Sequence, residues 1–427
     1  ITDDGFRERF GSQVDRIIEL KEYQESRVVR ILRELITFAH YRWIWTEKVK
    51  NKWELMDFQA RTISAMVRTA LLKLFAYLFA NRIGLSLLAK LEYFLSIRLN
   101  PTKDFEQLFA ELKPDLVFNC SHIHAARGEL PVRVAHQMGI RTATFVFSWD
   151  NLSSRGRILP PYDHFFVWHT GMQAELLSLY PQIKPGQVSI TGTPQFDYHF
   201  QPDFCLSKEE LCARLGIDPS VPYVLYTTGM DRDFPEEHRH VEAIIEIVKS
   251  YGLQLVVRTY VKGTSPEMKA LSKAEIPGVI FPPVMWDEKW FTPKYEDLAV
   301  YTSLLKYASF GINPASTVSL ELMMFDKPVI NIGFNPPGSS LPHCLRWKRH
   351  IEFDHYRKVA DSGGVMVAYS MDDMQNMIQS AVENPKAHSA TQKEFLHGVF
   401  GETLDGQSGR RAAETLVSIA RSRMNHD

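Results

Sequence analysis

The spacing of apolar and polar residues changes character near residue 100. Residues 1 to about 100 predict helix throughout, because apolar side chains recur at heptad-like intervals, for example at Val28, Ile31, Leu32 and Leu35. From Asp115 onward, short apolar runs typical of buried strands alternate with helical segments. Such alternation predicts a parallel sheet with crossover helices, and therefore an α/β fold.

The α/β pattern occurs twice, which predicts two sheets. A stretch rich in proline and charge at about 198–222 interrupts it, and the pattern restarts at Tyr223. No strand is predicted before Asp115, so either the first sheet is small or its first strands precede Ile1. The predicted strands are 115–119, 142–147, 164–168 and 187–191, and then 223–227, 253–258, 278–281, 310–312 and 328–332.

Composition narrows the class of protein. With 427 residues the chain has room for two or three domains, and a net charge of −1 gives no indication of nucleic-acid binding. The four cysteines have neither zinc-site spacing nor the density of a disulfide framework, which favours a reducing compartment. The most apolar stretch, 69–99, is interrupted by charged residues and does not predict a spanning helix. We expect a cytoplasmic protein, soluble or peripheral to a membrane.

Residues 311–321, followed by 327–331, form a pattern that suits a phosphate. The segment predicts a tight turn that opens a helix, with Glu321 one turn in, and then a buried strand. The N–H groups at a helix N-terminus can hold a phosphate without a charged side chain, and the hydroxyls of Ser316 and Thr317 add donors. Glu321 is placed to accept both hydroxyls of a ribose, so the pattern indicates a nucleotide. The alternative is an N-cap in an ordinary βαβ crossover.

Further candidates follow other strands of the second sheet, because ligands of open α/β sheets bind at the carboxyl ends of strands. Thr228 and Gly229 follow the first strand, and a glycine lets the backbone approach a phosphate closely. Arg258 follows the second strand and offers a guanidinium to a diphosphate. The alternative for Arg258 is a surface salt bridge. Pro283 and Val284 follow the third strand.

The same argument selects candidates for a general base in the first sheet, where the base must be His, Asp or Glu. His122 and His124 follow one predicted strand, Asp150 follows the next, and Glu129 lies between them in the sequence. We predict a catalytic base among these four residues. A helix cap or a turn is the alternative for Asp150.

Together these segments resemble the GT-B glycosyltransferases. The likeness is greatest to the bacterial group around CDP-glycerol glycerophosphotransferases, UDP-GlcNAc 2-epimerases and polysaccharide glycosyltransferases. It covers about residue 114 to the C-terminus. The segments that carry it are 148–152, 167–168, 191–197, 257–258, 316–321, 354–356, 405–406 and 409–411.

The resemblance implies two Rossmann-like domains around a cleft, with a helical N-terminal subdomain. In such enzymes a Ser/Thr-opened helix and its Glu hold the diphosphate and ribose of a sugar nucleotide, which assigns these parts to Ser316, Thr317 and Glu321. Backbone near Pro283 and Val284 would hold the base. The expected bounds are 1–100 for the helical subdomain, 101–205 for the acceptor domain, 222–409 for the nucleotide-sugar domain and 410–427 for a helix that packs back on the N-terminal domain.

The implied activity is metal-independent transfer of a sugar to a hydroxyl of a glycan or glycolipid in bacterial surface-polysaccharide synthesis. The donor would be a sugar activated by UDP, CDP, GDP or dTDP, with no further cofactor. The alternatives are a CDP-glycerol-type glycerophosphotransferase and a non-catalytic nucleotide-sugar-binding protein. Residues 230–234 replace the His-Arg-Arg-Glu-Asn run of the epimerases, which argues against epimerisation. Asn313 stands where retaining enzymes often carry the first Glu of Glu-x7-Glu, so the stereochemistry stays open.

Two charged features remain to be interpreted. Asp231 and Asp233 form an Asp-x-Asp triplet, but acidic residues are expected before a helix, so we predict no metal site. Residues 27–98 contain thirteen Lys/Arg against five Asp/Glu, interleaved with three tryptophans. This region predicts a platform for an anionic membrane or a lipid-linked or polymeric acceptor. The alternative is a helical insertion that packs on the N-terminal domain.

Overall fold

The computed structural model describes residues 10–20, 22–122, 125–287 and 292–422, with the backbone alone for 125–128. The chain divides into two units. Of the described residues, the N-terminal unit contains those within 20–197 together with 399–422, and the C-terminal unit contains those within 198–398 together with 10–19.

Helices form the first part of the N-terminal unit. Side-chain caps start some of them: Thr46 Oγ1 accepts the Val49 N–H at 3.3 Å, and Asn81 Oδ1 accepts the Gly84 N–H at 2.8 Å. Residues 14–20 and 22–26 are not helical, although helix was predicted throughout 1–100. Most of their side chains are exposed, so this short segment has no packed apolar face to stabilise a helix. The helices are α1 Arg27–Ile44, α2 Glu47–Gln59, α3 Ile63–Phe79, α4 Arg82–Leu99 and α5 Lys103–Leu112.

Two of the tryptophans in these helices are packed against each other. Trp53 is buried, and its ring meets that of Trp45 edge to face with centroids 5.0 Å apart. Arg42 lies over Trp45 at 4.5 Å and Lys73 over Trp53 at 5.1 Å. These cations therefore stack on aromatic rings of their own subdomain.

A parallel sheet of four strands forms the rest of the N-terminal unit, with the strands side by side in chain order. In the part of the chain that the structure describes, no strand precedes Leu116. The elements are β1 Leu116–Asn119, α6 Ala125–Gln137, β2 Arg141–Phe145, α7 Asn151–Ser154, β3 His164–Val167, α8 Thr170–Leu179, β4 Val188–Ile190 and α9 Pro194–Asp197.

The last helix of the chain belongs to this same unit. The carboxylate of Asp197 accepts the N–H groups of Ser408 and Gly409 at 3.0 and 2.7 Å, at the start of this helix. Arg411 Nε donates to the carbonyl of Thr191 at 2.9 Å. The C-terminal helix is thus tied to the end of β4. Its bounds are Ser408–Arg421, and it follows the elements of the C-terminal unit as α19.

The C-terminal unit holds a second parallel sheet. Its first helix, Lys208–Leu215, lies in the stretch that the sequence predicted as a linker. The elements are α10 Lys208–Leu215, β5 Tyr223–Thr227, α11 Glu237–Ser250, β6 Gln254–Arg258, α12 Pro266–Ser272, β7 Val279–Ile280, α13 Tyr295–Tyr307, β8 Gly311–Pro314, α14 Val318–Met324, β9 Val329–Ile332, α15 Lys348–Glu352, α16 Asp354–Ala360, β10 Met366–Ala368, α17 Met371–Glu383 and α18 Ser389–Phe400.

The strand order of this sheet is β10-β9-β8-β5-β6-β7. The chain begins in the middle at β5, runs to one edge through β7, and returns to build the other half from β8. This is the doubly wound order, and it places a topological switch point between β5 and β8. All residues of β5, β6, β8 and β9 are buried, as expected for strands covered on both faces. The two predicted parallel sheets are confirmed.

No single helix among the described residues is both long and apolar enough to cross a membrane. Helices α3 and α4 meet that test only when taken together, and their axes are bent by 112° at the break between them.

Candidate functional site

Two buried polar groups lie at the switch point of the second sheet. Thr227 Oγ1 and Asn313 Nδ2 are buried and have no hydrogen-bond partner among the described residues. Tyr226 is in register with Ile312, so the next residues, Thr227 and Asn313, lie beside each other at the carboxyl ends of β5 and β8. A buried donor or acceptor without a partner costs about 1–3 kcal/mol, so a ligand with polar groups would be stabilised here.

A hydrogen-bonded network holds the turn that carries Ser316. Asn313 Oδ1 accepts from Ser316 Oγ at 3.1 Å, Ser319 Oγ at 3.1 Å and Asn331 Nδ2 at 3.2 Å. The hydroxyl of Tyr356 lies 2.7 Å from Ser319 Oγ and donates to Asn331 Oδ1 at 2.9 Å. Thr317 is the residue before α14 and does not cap it with its side chain. These buried side-chain hydrogen bonds hold the predicted turn between β8 and α14 in place.

Glu321 is buried and bound by side chains of its own unit. His199 Nε2 lies 2.9 Å from Oε1, and the Tyr301 hydroxyl donates to Oε2 at 2.8 Å. Because a carboxylate only accepts, His199 Nε2 carries the hydrogen, while its Nδ1 lies 3.2 Å from Thr302 Oγ1. Burial and the neighbouring Glu321 raise the pKa of the Tyr198 and Tyr301 hydroxyls well above their usual range, so both stay protonated donors.

Arg258 forms a buried ion pair that shapes the loop after β7. Its Nη2 lies 2.5 Å from Asp297 Oδ2, and its Nη1 donates to the Pro283 carbonyl at 3.2 Å. Asp297 also accepts the Met285 N–H and the Trp286 indole N–H, each at 2.9 Å. Arg258 and Asp297 therefore hold the backbone of 283–286, in which the predicted Val284 lies. The salt bridge of Arg258 is not the surface one considered as the alternative, because both Arg258 and Asp297 are buried.

The loop after β5 is organised by a buried carboxyl group. Glu237 accepts the Gly229 N–H at 3.2 and 3.1 Å and the Tyr226 hydroxyl at 3.0 Å. Burial raises the pKa of Glu237 from 4.5 to about 8. Glycine is required at 229 because the Phe234 ring approaches closely, and a Cβ there would lie 2.1 Å from that ring. The sequence had suggested that Gly229 makes room for a phosphate. The Thr228 hydroxyl accepts the Tyr260 N–H at 2.8 Å.

The loop with the Asp-x-Asp triplet contains no grouped metal ligands. Among the described residues, no group of three or more His, Cys, Asp or Glu side chains is arranged to hold a metal ion. Desolvation raises the pKa of Asp231. Asp233 lies 3.5 Å from the exposed guanidinium of Arg232.

The predicted base Asp150 has charged and polar partners from its own unit. Its Oδ2 accepts from Lys48 Nζ at 3.0 Å and from Ser154 Oγ at 2.8 Å, and its Oδ1 accepts from Asn151 Nδ2 at 3.1 Å. Thr46 Oγ1 donates to the Ser153 carbonyl at 2.7 Å. These contacts join helix α2 to α7. They fit the alternative role that the sequence analysis gave Asp150, a helix cap or a turn.

Glu129 belongs to a buried ion-pair network. Its Oε2 lies 3.1 Å from Arg133 Nη1 and 3.2 Å from Arg33 Nη1. Arg133 also contacts Glu92 at 2.8 Å, and both of these side chains are fully buried. The Glu129 carboxylate is therefore engaged by two guanidinium groups of its own unit.

His122 is buried at the end of β1. Its Nδ1 lies 3.3 Å from the Phe145 carbonyl and 3.4 Å from the Phe147 N–H. His124 lies outside the described residues. The catalytic role of His122, His124, Glu129 and Asp150 stays a prediction.

Sequence reasoning missed the residues that organise the candidate site. His199, Tyr301 and Asp297 hold Glu321 and Arg258, yet no spacing sets them apart. Asp297 lies in the first turn of α13, where an acidic residue is expected for the helix itself. Glu237 is hidden in the same way at the start of α11. Burying a charged side chain is costly, so a buried carboxylate indicates a special role. A single sequence does not show which carboxylates are buried, because burial depends on the packing of the fold.

Comparison of the sequence with models of protein families and with curated proteins finds no match. Solved structures are similar in fold. A protein described as a UDP-N-acetylglucosamine 2-epimerase from Listeria monocytogenes has a TM-score of 0.51 and 13% identity, covering 76% of this chain and 79% of that chain. MnaA from S. aureus, solved with UDP, has a TM-score of 0.50 and 12% identity, covering 76% and 80%. The chain thus has the GT-B fold that its sequence predicted.

Proposed function

We propose that the protein is a glycosyltransferase that uses a nucleotide-activated sugar. One observation carries the proposal: Thr227 Oγ1 and Asn313 Nδ2, which have no hydrogen-bond partner in the described part of the chain, lie at the switch point beside the turn of Ser316. Doubly wound sheets bind ligands at this place. Glu321 lies one turn into the helix that follows. Its carboxylate already accepts from His199, Tyr301 and Tyr198, and a carboxylate has about four lone-pair sites in all.

Each part of the donor has a candidate site in the C-terminal unit. The diphosphate would bind the Ser316–Thr317 turn and Thr228, and the ribose would bind Glu321. The base would meet the backbone at Pro283 and Val284, which the Arg258–Asp297 pair holds in place. In this proposal Arg258 acts chiefly by positioning that loop. Backbone N–H groups and hydroxyls would stabilise the leaving diphosphate without a metal or a further cofactor.

The similar structures support the choice of ligand to test. MnaA was solved with UDP, and the Listeria protein is described as an epimerase of UDP-N-acetylglucosamine. Residues 230–234 of this chain still lack the epimerase motif, so transfer remains the preferred reaction. The alternatives are a CDP-glycerol-type glycerophosphotransferase and a non-catalytic nucleotide-sugar-binding protein.

The acceptor would be a hydroxyl of a glycan or lipid-linked glycan in bacterial surface-polysaccharide synthesis, on the cytoplasmic face of the membrane. His122 is the first candidate for the general base, because Glu129 is bound by two arginines and Asp150 by Lys48. The basic region 27–98 would lie on the membrane side.

A nucleotide panel tests this proposal. Thermal unfolding would be followed with UDP, CDP, GDP and dTDP sugars and with CDP-glycerol, and products would then be analysed with lipid-linked acceptors. We expect stabilisation by one nucleotide class, weakened by about 1–3 kcal/mol of binding energy in a Ser316→Ala/Thr317→Val double variant. Ser250→Ala, at an exposed helix end, is the control. Binding with no transfer would favour the non-catalytic alternative, and no stabilisation by any nucleotide would refute the proposal.

A further inference from the structure

Helices α3 and α4 expose apolar side chains on a continuous face of each helix. Residues 63, 71, 74 and 78 lie at spacings of eight, three and four, and residues 83, 87 and 94 at spacings of four and seven, which places each set on one helical face. We call this surface the α3–α4 face. Its most exposed members, each 58–82% exposed, are Ile63, Leu71, Leu74, Leu78, Ile83 and Leu87.

The opposite sides of these helices are already packed. Leu72 and Ala76 of α3, and Leu85 and Leu88 of α4, are buried, and both helices pack on α1. The α3–α4 face therefore points away from the core that stabilises the subdomain. Twelve large apolar side chains of α3 and α4 are exposed. Clusters of exposed apolar side chains mark sites that contact another molecule or a membrane. Burying the α3–α4 face is not needed for folding, so it is available to a partner.

The charges beside this face select the partner. Helices α3 and α4 contain five basic residues and one acidic residue. The acidic one, Glu92, is fully buried against Arg133, so the exposed surface of these helices carries no carboxylate. Lys90 and Arg98 lie on the same side of α4 as Leu87. Arg68 and Lys73 are paired with Glu34 and Asp57 of neighbouring helices, which leaves the exposed cations of α4, namely Arg82, Lys90 and Arg98. These three cations are complementary to an anionic lipid interface, where long basic side chains reach the headgroups.

We propose that the α3–α4 face inserts into the headgroup and upper acyl region of an anionic lipid bilayer. The 112° bend between the helices, and the length of each, suit a pair lying in the interface and not crossing it. A second copy of the chain is disfavoured, because its basic residues would face those of the first. The inference rests on the proposed function in one respect only, namely that the acceptor is linked to a membrane.

This mode of attachment differs from the electrostatic platform expected from the sequence. Trp45 and Trp53 contact each other, and Arg42 and Lys73 stack on them, so these groups are committed within the subdomain. Most of the binding energy should then come from apolar burial, with the cations adding preference for anionic lipid. Attachment should therefore survive much of a salt increase that screens surface charge.

Vesicle co-sedimentation without any nucleotide tests the proposal. The probes are phosphatidylcholine vesicles with and without phosphatidylglycerol, at low and high salt. Wild-type protein should pellet with the anionic vesicles and largely remain bound at high salt. A Leu74→Asn/Leu87→Asn variant should bind the anionic vesicles about tenfold more weakly than wild type. Both side chains are exposed, so the substitutions remove only lipid contacts.

Val417→Asn, at an apolar position of α19 that is 47% exposed, is the matched control and should bind as wild type. Circular dichroism should show equal folding of all three proteins. Wild-type protein that stays in the supernatant with every vesicle, or a double variant that pellets equally, would overturn the proposal. So would a dimer in light scattering that the double variant converts to monomer, because a second copy would then cover the face. Lipid binding is measured without donor, so its failure is distinct from failure of the transfer reaction.

Discussion

At the scale of the residue, the candidate site consists of polar groups that the protein has largely organised before a ligand binds. Glu321 is held by His199 and Tyr301, and Arg258 by Asp297. A carboxylate with fixed orientation loses little entropy when it accepts a further hydrogen bond, so prior contacts favour binding. The same contacts couple ligand binding to stability, because removing one buried partner leaves the other without its hydrogen bond.

Replacement of Glu321 should therefore affect both properties. Glu321→Ala leaves the Tyr301 hydroxyl and His199 without their acceptor, and we expect a loss of about 1–3 kcal/mol in unfolding free energy together with weaker nucleotide binding. Glu321→Gln keeps an acceptor and should lose less stability than binding. Chemical denaturation and calorimetric titration measure the two effects. Glu246→Gln, exposed on α11, is the control. Nucleotide affinity unchanged in both Glu321 variants would show that the residue serves the fold alone.

Glu237 predicts a pH dependence of stability. Its pKa is raised from 4.5 to about 8, so between these values the folded protein keeps a proton that the unfolded chain releases. The protonated form contributes its stability fully below pH 4.5, and stability is lost as pH rises through about 8. We expect unfolding free energy to fall by up to ~1.4 kcal/mol per pH unit in this window. Glu237→Gln should flatten the profile and Glu242→Gln should not. Parallel profiles for all three proteins would contradict this assignment.

At the scale of the element, the turn between β8 and α14 depends on a residue far away in the sequence. Tyr356 of α16 contacts Ser319 and Asn331, which bind Asn313, which accepts from Ser316. The sequence pattern predicted the turn and its hydroxyls. It could not predict the network below them, because that depends on how α16 packs against α14 and β9.

Loss of the Tyr356 hydroxyl should loosen this turn. Tyr356→Phe leaves the side chains of Ser319 and Asn331 with one fewer buried partner, and we expect a cost of about 1–3 kcal/mol in unfolding free energy and a raised donor KM. Tyr369→Phe, at a half-exposed tyrosine, should change neither. Denaturant unfolding and initial-rate kinetics test the pair. A stability loss without any change in KM would separate the network from donor binding.

Element existence was largely predictable, and element order was not. The strand from Tyr223 to Thr227 was predicted at its observed bounds, because a continuous apolar run flanked by turn residues is a strong signal. Helices α15 to α18 were not predicted, and α10 was predicted as part of a linker. Apolar runs also do not encode which strands pair, so the switch point between β5 and β8 emerged only from the structure.

At the scale of the whole molecule, the N-terminal unit is built from two separate parts of the chain. Residues 20–197 are joined by residues 399–422, and Asp197 accepts the first N–H groups of α19. Each unit has its own sheet. Local destabilisation should therefore be confined largely to one of them.

Asp197→Ala tests this division. The variant removes the acceptor for two N–H groups at the start of α19, and we expect about 1–2 kcal/mol of destabilisation, within the range for lost helix caps. Hydrogen exchange should increase in β1 to β4 and in α19, and remain unchanged in β5 to β10. Asp372→Ala, an exposed first-turn position of α17, is the control. Faster exchange in both sheets would show that the units unfold together.

The position of α19 also bears on how the protein is made. A ribosome releases residues 20–197 long before it has synthesised the helix that joins them, whereas 198–398 emerge as one uninterrupted stretch. The second sheet can thus acquire nearly all its partners during translation, but the first stays incomplete until α19 leaves the exit tunnel. Premature termination after the second sheet would then leave the first sheet without α19 and exposed to chaperones and proteases.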